Sequence, residues 1–251
     1  MTDFKEEKTS IIIVTYNALD YVRKCVQSLL ANTDPIHEII IVDNASGAET
    51  REYLLSLKKY PQIKLILNEK NLLWCPGNNV GLRESAPDSK YCLLLNSDVE
   101  IFRPDWLAKL QAPMNKYANV GITGTQYNFS HIGPTYGGID GCCFMFRKRL
   151  LDIVGYLDER FPWNGAGYVF TVNAWAKGWY YYFVHCPDLM VHYGKRSRIS
   201  NRTQKQNIRV NKIEVIREAG LKPTVNYWAY FLNRLHLFNI NRRMSRYLRE
   251  K

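Results

Sequence analysis

Two acids stand two positions apart, Asp98 and Glu100, directly after the apolar run Tyr91-Cys92-Leu93-Leu94-Leu95-Asn96. A buried strand that opens into Asn96-Ser97-Asp98-Val99-Glu100 can present two carboxylates to one hard divalent cation. Mg²⁺ and Mn²⁺ suit such oxygens and complete their shells with water or substrate phosphates. An isolated D-x-E triplet is more often a solvated turn. Here its position gives it weight, because other apolar runs end in the same way: Ser10–Val14 in Thr15-Tyr16-Asn17, Glu38–Val42 in Asp43-Asn44, and Ile63–Leu67 in Asn68.

The elements that must position these residues follow from hydrophobic spacing. SIIIVTYN, HEIIIVDN, IKLILN and YCLLLN read as short buried strands. Between them lie helical patterns, with Leu19, Val22, Val26, Leu29 and Leu30 in the first, Leu54, Leu55 and Leu57 in the second, and a third through Leu82. Strands alternating with helices predict an α/β fold with a mostly parallel sheet covered on both faces. Ligands of such sheets bind beyond the carboxyl ends of the strands, so the polar ends mark one candidate edge. Farther along, a helix opened by proline is expected over 104–116, a strand at VGITGTQ, and a single strand over 137–148 that begins with small residues. Two helices, over 150–154 and 166–177, and strands at WYYYFV and LMVHY complete this part.

The chain has 251 residues and a net charge of +11. From Lys195 onward there are 15 Lys and Arg against 3 Asp and Glu, so the excess sits in the last part and the rest is close to neutral. The charge and element pattern divide the chain into a domain over 1–198 and a basic, aromatic, helical extension over 199–251. No apolar run reaches the roughly 18 residues of a membrane span, and the polar start MTDFKEEKTS is unlike a secretory signal. The six cysteines form no C-x-x-C pair and sit mostly in apolar runs, which predicts reduced core thiols and a cytoplasmic setting.

In order along the chain, these motifs resemble the glycosyltransferases of family 2, with the GT-A fold. SIIIVTYN resembles the family's opening strand and IIIVDNAS its second. NLLWCPGNNVG resembles the N-x-G-[FW]-x-x-G-x-N-x-G stretch, and LLLNSDVEIFRPDWL the metal-binding strand end. VGYLDERF resembles the V-G-G-F-D-E-x-F element, and VHYGKRS the late histidine motif. The likeness is strongest to enzymes that build bacterial surface polysaccharides, rhamnosyltransferases among them. It implies a nucleoside-diphosphate sugar donor (UDP, dTDP or GDP), Mg²⁺ or Mn²⁺, and a saccharide or lipid-linked acceptor. By the same resemblance, Thr15, Tyr16 and Asn17 would line the nucleotide pocket, Asp43 would bind the base and Asn44 would support that turn. Asn71, Gly77, Asn78 and Asn79 would approach the ribose or sugar beside Asn96 and Ser97. Asp98 and Glu100 would hold the metal, with His192 as a third ligand.

One departure concerns the chemistry itself. The family's general base is usually the aspartate of a Glu-Asp pair at the start of the helix after D-E-x-F; counting back from Gly178-Trp179 places that pair on Ala166-Gly167, with Val169 and Asn173 at the later acid and arginine. None of these can accept a proton at neutral pH. Three explanations stand open: another carboxylate (Asp140, Asp158 or Glu159) serves as base, the reaction retains configuration, or the chain binds a nucleotide sugar without turning it over. A second departure is Leu73, where the family often has glycine. Lys195-Arg196-Ser197-Arg198, next to the late histidine, could contact the diphosphate. The segment NYWAYFLNRLHLFNINRRMSRYLR could lie in the inner face of a membrane as a peripheral anchor. No nucleic-acid-binding motif accompanies the charge, so nucleic acid is not an expected partner.

Overall fold

The structure, a computed structural model, describes residues 6–194 and 210–251. The β-branched runs form β1 (Thr9–Thr15), β2 (Glu38–Asp43), β3 (Ile63–Leu67) and β4 (Tyr91–Asn96), all parallel, with β1 between β2 and β4 and with β3 outside β2. Strands buried on both faces need apolar residues at every position. Accordingly Ile11, Ile13, Ile39, Ile41 and Leu93 point into one core, while Ile12, Ile40, Val42, Cys92 and Leu94 point into the other.

Helices cover both faces. α1 (Leu19–Asn32) lays Val22, Cys25, Val26 and Leu29 on the first core, with α2 (Ala48–Ser56) beside it. α3 (Trp74–Arg83) covers the second. Its close approach depends on Gly77 and Gly81: a Cβ at Gly81 would lie 2.4 Å from Ile12 Cγ2, and one at Gly77 would lie 2.9 Å from Val14 Cγ1.

After β4 come β5 (Val99–Ile101), α4 (Trp106–Lys116), β6 (Val120–Gly124), β7 (Tyr127–Phe129), β8 (Gly137–Ile139) and β9 (Cys143–Arg147). Next are α5 (Leu150–Val154), α6 (Ala166–Ala176), β10 (Tyr180–Phe183) and β11 (Met190–His192). Last come α7 (Lys212–Glu218), α8 (Tyr227–Arg234) and α9 (Ile240–Met244). Among the described residues the main sheet has seven strands, ordered β10-β6-β9-β4-β1-β2-β3, with β9 antiparallel to both its neighbours. β11 pairs with β5 and β7 with β8, as two small antiparallel ribbons.

Two expectations need correction. The single strand over 137–148 is two strands: Asp140 Oδ1 accepts the Cys142 N–H at 2.9 Å, a local turn that separates β8 from β9. The helix expected from Pro104 begins at Trp106.

Residues 210–251 share the main core. Val215, Ile216, Ile240 and Met244 pack in the same cluster as Ile12 and Leu94. The end of this segment clasps the start of β6: Ala118 N–H donates to Arg249 O (2.8 Å), Asn119 Nδ2 to Tyr247 O (2.7 Å) and Arg249 N–H to Asn119 Oδ1 (2.8 Å). All six cysteines are free thiols and five are buried. Burial pushes Cys25, Cys75 and Cys92 up to about 12, which makes them packing groups and not nucleophiles.

Candidate active site

Strand register sets the polar ends side by side, with Thr15 opposite Asp43, Val14 opposite Asn96 and Asp43 opposite Leu67. The loops beyond them are braced to one another. Asn17 N–H donates to Ser46 Oγ (2.7 Å) and Gly47 N–H returns a bond to Asn17 Oδ1 (2.7 Å). Asn44 Nδ2 donates to Leu73 O (3.1 Å), and Asn68 Nδ2 donates to Asn44 Oδ1 (2.9 Å). Thr15 is buried at the centre of this edge, and its hydroxyl has no hydrogen-bond partner among the described residues. A buried hydroxyl left unpaired costs free energy that a hydrogen-bond partner would recover.

Asp43 sits differently from the expectation. It is fully buried, with Oδ1 accepting Ser46 N–H (3.1 Å) and Oδ2 accepting Arg51 Nε (3.2 Å), while Arg51 also reaches Asn68 O (3.1 Å). The aspartate therefore braces the loop, with no open face for a base. Arg51 was not visible as a partner in the sequence, because eight positions along the chain signal nothing by themselves. Asn78 and Asn79 also work inward. Asn78 Nδ2 donates to Trp74 O (2.7 Å), while Asn79 bridges Leu157 N–H (3.1 Å), Leu157 O (2.9 Å) and Glu159 Oε1 (2.8 Å). With Gly77 in van der Waals contact with Val14, these three hold α3 in place. Tyr16, Asn71 and Ser97 are half-buried at the edge, and Asn71 Oδ1 accepts Leu73 N–H at 2.8 Å.

These loops carry backbone strain. Asn17, Ala18, Ala45 and Leu73, all non-glycine, have positive φ, and Leu73 (φ 71°, ψ −176°) lies where glycine is normally required. That explains the family's glycine at this position. Leu73→Gly is expected to raise the melting temperature, because removing strain of ~1–3 kcal/mol outweighs the ~0.5–1 kcal/mol of added chain entropy. Thermal unfolding followed by circular dichroism checks this; a lower melting temperature would show that the Leu73 side chain contributes more than its backbone costs.

At the centre, a chain of polar contacts joins α3, β4, β11 and the turn between β4 and β5. Trp74 Nε1 donates to Asn96 Oδ1 (3.0 Å), Asn96 Nδ2 faces His192 Nε2 (3.3 Å), and His192 Nε2 lies 3.2 Å from Asp98 Oδ1. The β5–β11 ribbon makes this possible by setting His192 opposite Val99, and Tyr193 N–H fixes it by donating to Asp98 O (3.0 Å). The Asp98 hydrogen bond raises the His192 pKa above its ordinary value, against the opposing effect of partial burial. Trp74, which sequence reasoning passed over inside NLLWCPG, is thus part of the centre.

Glu100 does not join this group, because its carboxylate accepts the Tyr193 hydroxyl. Among the described residues no three His, Cys, Asp or Glu side chains are grouped to hold a metal. The Asp98–His192 pair would offer a hard cation one carboxylate oxygen and one imidazole nitrogen. A cation held by two protein groups leaves its other positions to water and phosphate oxygens.

The start of α6 is apolar, as the sequence indicated. Ala166 and Gly167 are buried, and no acid lies in the first turn. Of the three alternative carboxylates, Asp158 is paired to Arg160 (2.7 Å), which also holds Glu218. Burial alone would raise the Asp158 pKa, but the Arg160 hydrogen bonds prevail and lower it. Glu159 is tied to Asn79 and Arg83, behind α3. Asp140 lies elsewhere, in the turn next to the carboxyl end of β4, where Cys142 O accepts Asn96 N–H (3.0 Å) and its charge acts on His192. It is half-buried, and its second oxygen accepts Asn128 Nδ2. Trp74 packs against the neighbouring Gly141, leaving a Cβ there only 3.0 Å from the indole. The cluster Lys195-Arg196-Ser197-Arg198 lies outside the described residues.

The mannosyltransferase PcManGT of Pyrobaculum calidifontis, solved with GDP-Man and Mn²⁺, superposes with a TM-score of 0.60 at 16% identity, over 73% of this chain and 56% of that one. GalNAc-T7, solved with UDP, GalNAc and Mn²⁺, gives 0.59 at 16% identity, over 71% and 42%. These likenesses establish the GT-A fold. In sequence, the putative teichuronic acid biosynthesis glycosyltransferase TuaG of Bacillus subtilis is 32% identical over 126 residues, covering 49% of this chain and 48% of its own length. Against other curated relatives the chain spans 35%, 46% and 20% of their lengths. The model of "Glycosyl transferase family 2" matches residues 10–154, more than half of the chain, and with the strand-end site in place the chain belongs to that family.

Proposed function

We propose that the protein transfers a sugar from a nucleoside diphosphate (of uridine, deoxythymidine or guanosine) to a saccharide or lipid-linked saccharide in surface polysaccharide synthesis, with Mg²⁺ or Mn²⁺. The observation that carries this reading is the convergence, at the strand ends, of the unpaired Thr15 hydroxyl with the Trp74–Asn96–His192–Asp98 chain. Thr15 takes a nucleotide atom, while Asp43, Arg51 and Asn44 keep the nucleotide loop in shape. Asp98 and His192 would hold the cation, which when bound neutralises charge on the departing diphosphate. Asn96 positions His192, and Trp74 positions Asn96. Asp140 takes the role that Ala166-Gly167 cannot fill, accepting the proton of the acceptor hydroxyl as it attacks the sugar.

Calorimetric titration with UDP, dTDP, GDP and their sugars, with and without Mn²⁺, tests the donor reading. Metal-dependent binding of one of them is expected, and no binding by any would overturn it. The titration also has a definite pH dependence. His192 must lose a proton before Nε2 can bind a metal, and its pKa is raised. Mn²⁺ affinity should therefore climb about tenfold per pH unit below that pKa and level off above it. A flat profile between acid and neutral pH would remove His192 from the ligand set.

A second reading, a nucleotide-sugar-binding homologue without turnover, is favoured by the buried, acid-free start of α6. Donor binding without product from any acceptor, or from water, would select it.

A further inference from the structure

We infer that α8 and the loop after it form a docking surface for an anionic lipid bilayer, which they touch without crossing. The face is built from Val225, Tyr227, Trp228, Phe231, Leu235 and Leu237, which are between 49% and 75% exposed. Ala229 is the buried residue of this helix. Trp228 and Phe231 stack on each other with ring centroids 5.7 Å apart, on the outer side. Large apolar residues grouped within thirteen positions are costly in water unless something covers them.

The helix is mounted firmly. Asn226 caps its start by accepting Ala229 N–H (2.9 Å), and Asn226 N–H donates to His131 O (2.9 Å). Gly133 N–H donates to Thr224 O (2.8 Å), and the His131 and Tyr230 rings meet at 5.1 Å. The aromatic face is therefore displayed on the β7–β8 hairpin, and its exposure is not that of a loose end.

Charge identifies the occupant. From Lys222 to Lys251 there are seven Lys and Arg against the single acid Glu250. Arg234 at the end of α8 is exposed, as are Arg242, Arg243 and Arg246, and Arg246 Nη2 reaches the same Tyr136 hydroxyl (3.3 Å) as Asn226 Nδ2 at the start of α8 (3.4 Å). Indole and phenol rings with leucines, flanked by arginines whose stems can lie along hydrocarbon while their heads stay at the phosphates, match the boundary of an anionic leaflet. Among the described residues no helix is long and apolar enough to cross a membrane, so the surface lies on the bilayer. The same hairpin leads through β8 to Asp140. If the transferase reading holds, a lipid-linked acceptor would thus reach the catalytic edge from the docked side; the docking itself stands without that reading.

The test is flotation of the full chain with phosphatidylcholine vesicles, with and without phosphatidylglycerol. Strong capture by the anionic vesicles and weak capture by the neutral ones is expected. Trp228→Ser with Phe231→Ser should weaken capture at least ~10-fold, with an unchanged circular dichroism spectrum and unchanged Mn²⁺-dependent donor binding. Arg242→Glu with Arg243→Glu should remove the preference for anionic lipid. The inference is overturned if no vesicle captures the chain, or if the serine pair floats as well as the unmodified protein. It is also overturned if the serine pair instead abolishes a dimer seen in sedimentation, which would make a second copy the occupant. Competition of vesicle capture by duplex DNA but not by soluble phospholipid headgroups would likewise reassign the surface to nucleic acid.

Discussion

Asp98→Ala weakens Mn²⁺-dependent donor binding by about 10²–10³-fold, the scale on which removal of one preorganised charge-stabilising group is felt. Asp98 is the acid that the β4–β5 turn and the β5–β11 ribbon place together against His192, at 3.2 Å. The substitution leaves the backbone bond from Tyr193 N–H to Asp98 O intact, so the ribbon should survive and the loss should report the site alone. Glu100→Gln serves as the contrast. Its carboxylate is bonded to the Tyr193 hydroxyl, so its substitution should cost far less donor affinity. Calorimetry on both variants decides; equal losses would return Glu100 to the metal, and no loss in Asp98→Ala would empty the site of meaning.

Asp140→Asn lowers turnover by about 10²–10⁴-fold, the usual contribution of a positioned general base, while donor affinity stays as it was. The amide keeps the shape of the group and can still accept Cys142 N–H, so the turn between β8 and β9 remains formed. Asp158→Asn and Glu159→Gln separate chemistry from architecture. These acids serve Arg160, Arg83 and Asn79, so their loss should appear in the melting temperature before it appears in turnover. Initial rates of product formation, alongside donor titration, distinguish these outcomes. Full turnover in Asp140→Asn would sink its assignment as base.

How much of this was legible follows from what each signal depends on. The four parallel strands were clear because runs such as Ile11–Val14 and Ile39–Val42 are buried on both faces and tolerate no polar residue. Their polar ends, Thr15, Asp43, Asn96 and Asp98, fell on one edge because parallel strands in register share one. Side-chain direction was not legible. Asn78, Asn79 and Asp43 match a site motif by type, yet burial and their bonds to Trp74, Leu157 and Ser46 turn them inward. The break between β8 and β9 was hidden because Asp140 acts through a local turn that apolar spacing does not register. The boundary at residue 198 followed a change of charge, which is a surface property, while Ile240 and Met244 belong to the core.

The clasp between residues 117–119 and 247–250 has a consequence for biogenesis. Its partners are 130 positions apart. At a synthesis rate of ~5–20 residues per second, roughly 6–26 s separate the two strands' emergence from the ribosome. During that interval the first four strands have each other, since β1 pairs with both β2 and β4 and β2 with β3, all made before residue 100. Until the last segment arrives, Trp175 and Tyr180 pack on each other but lack Tyr247, on which both rings later pack. Late closure of this kind makes the nascent chain's vulnerable period a property of its slowest-arriving residues.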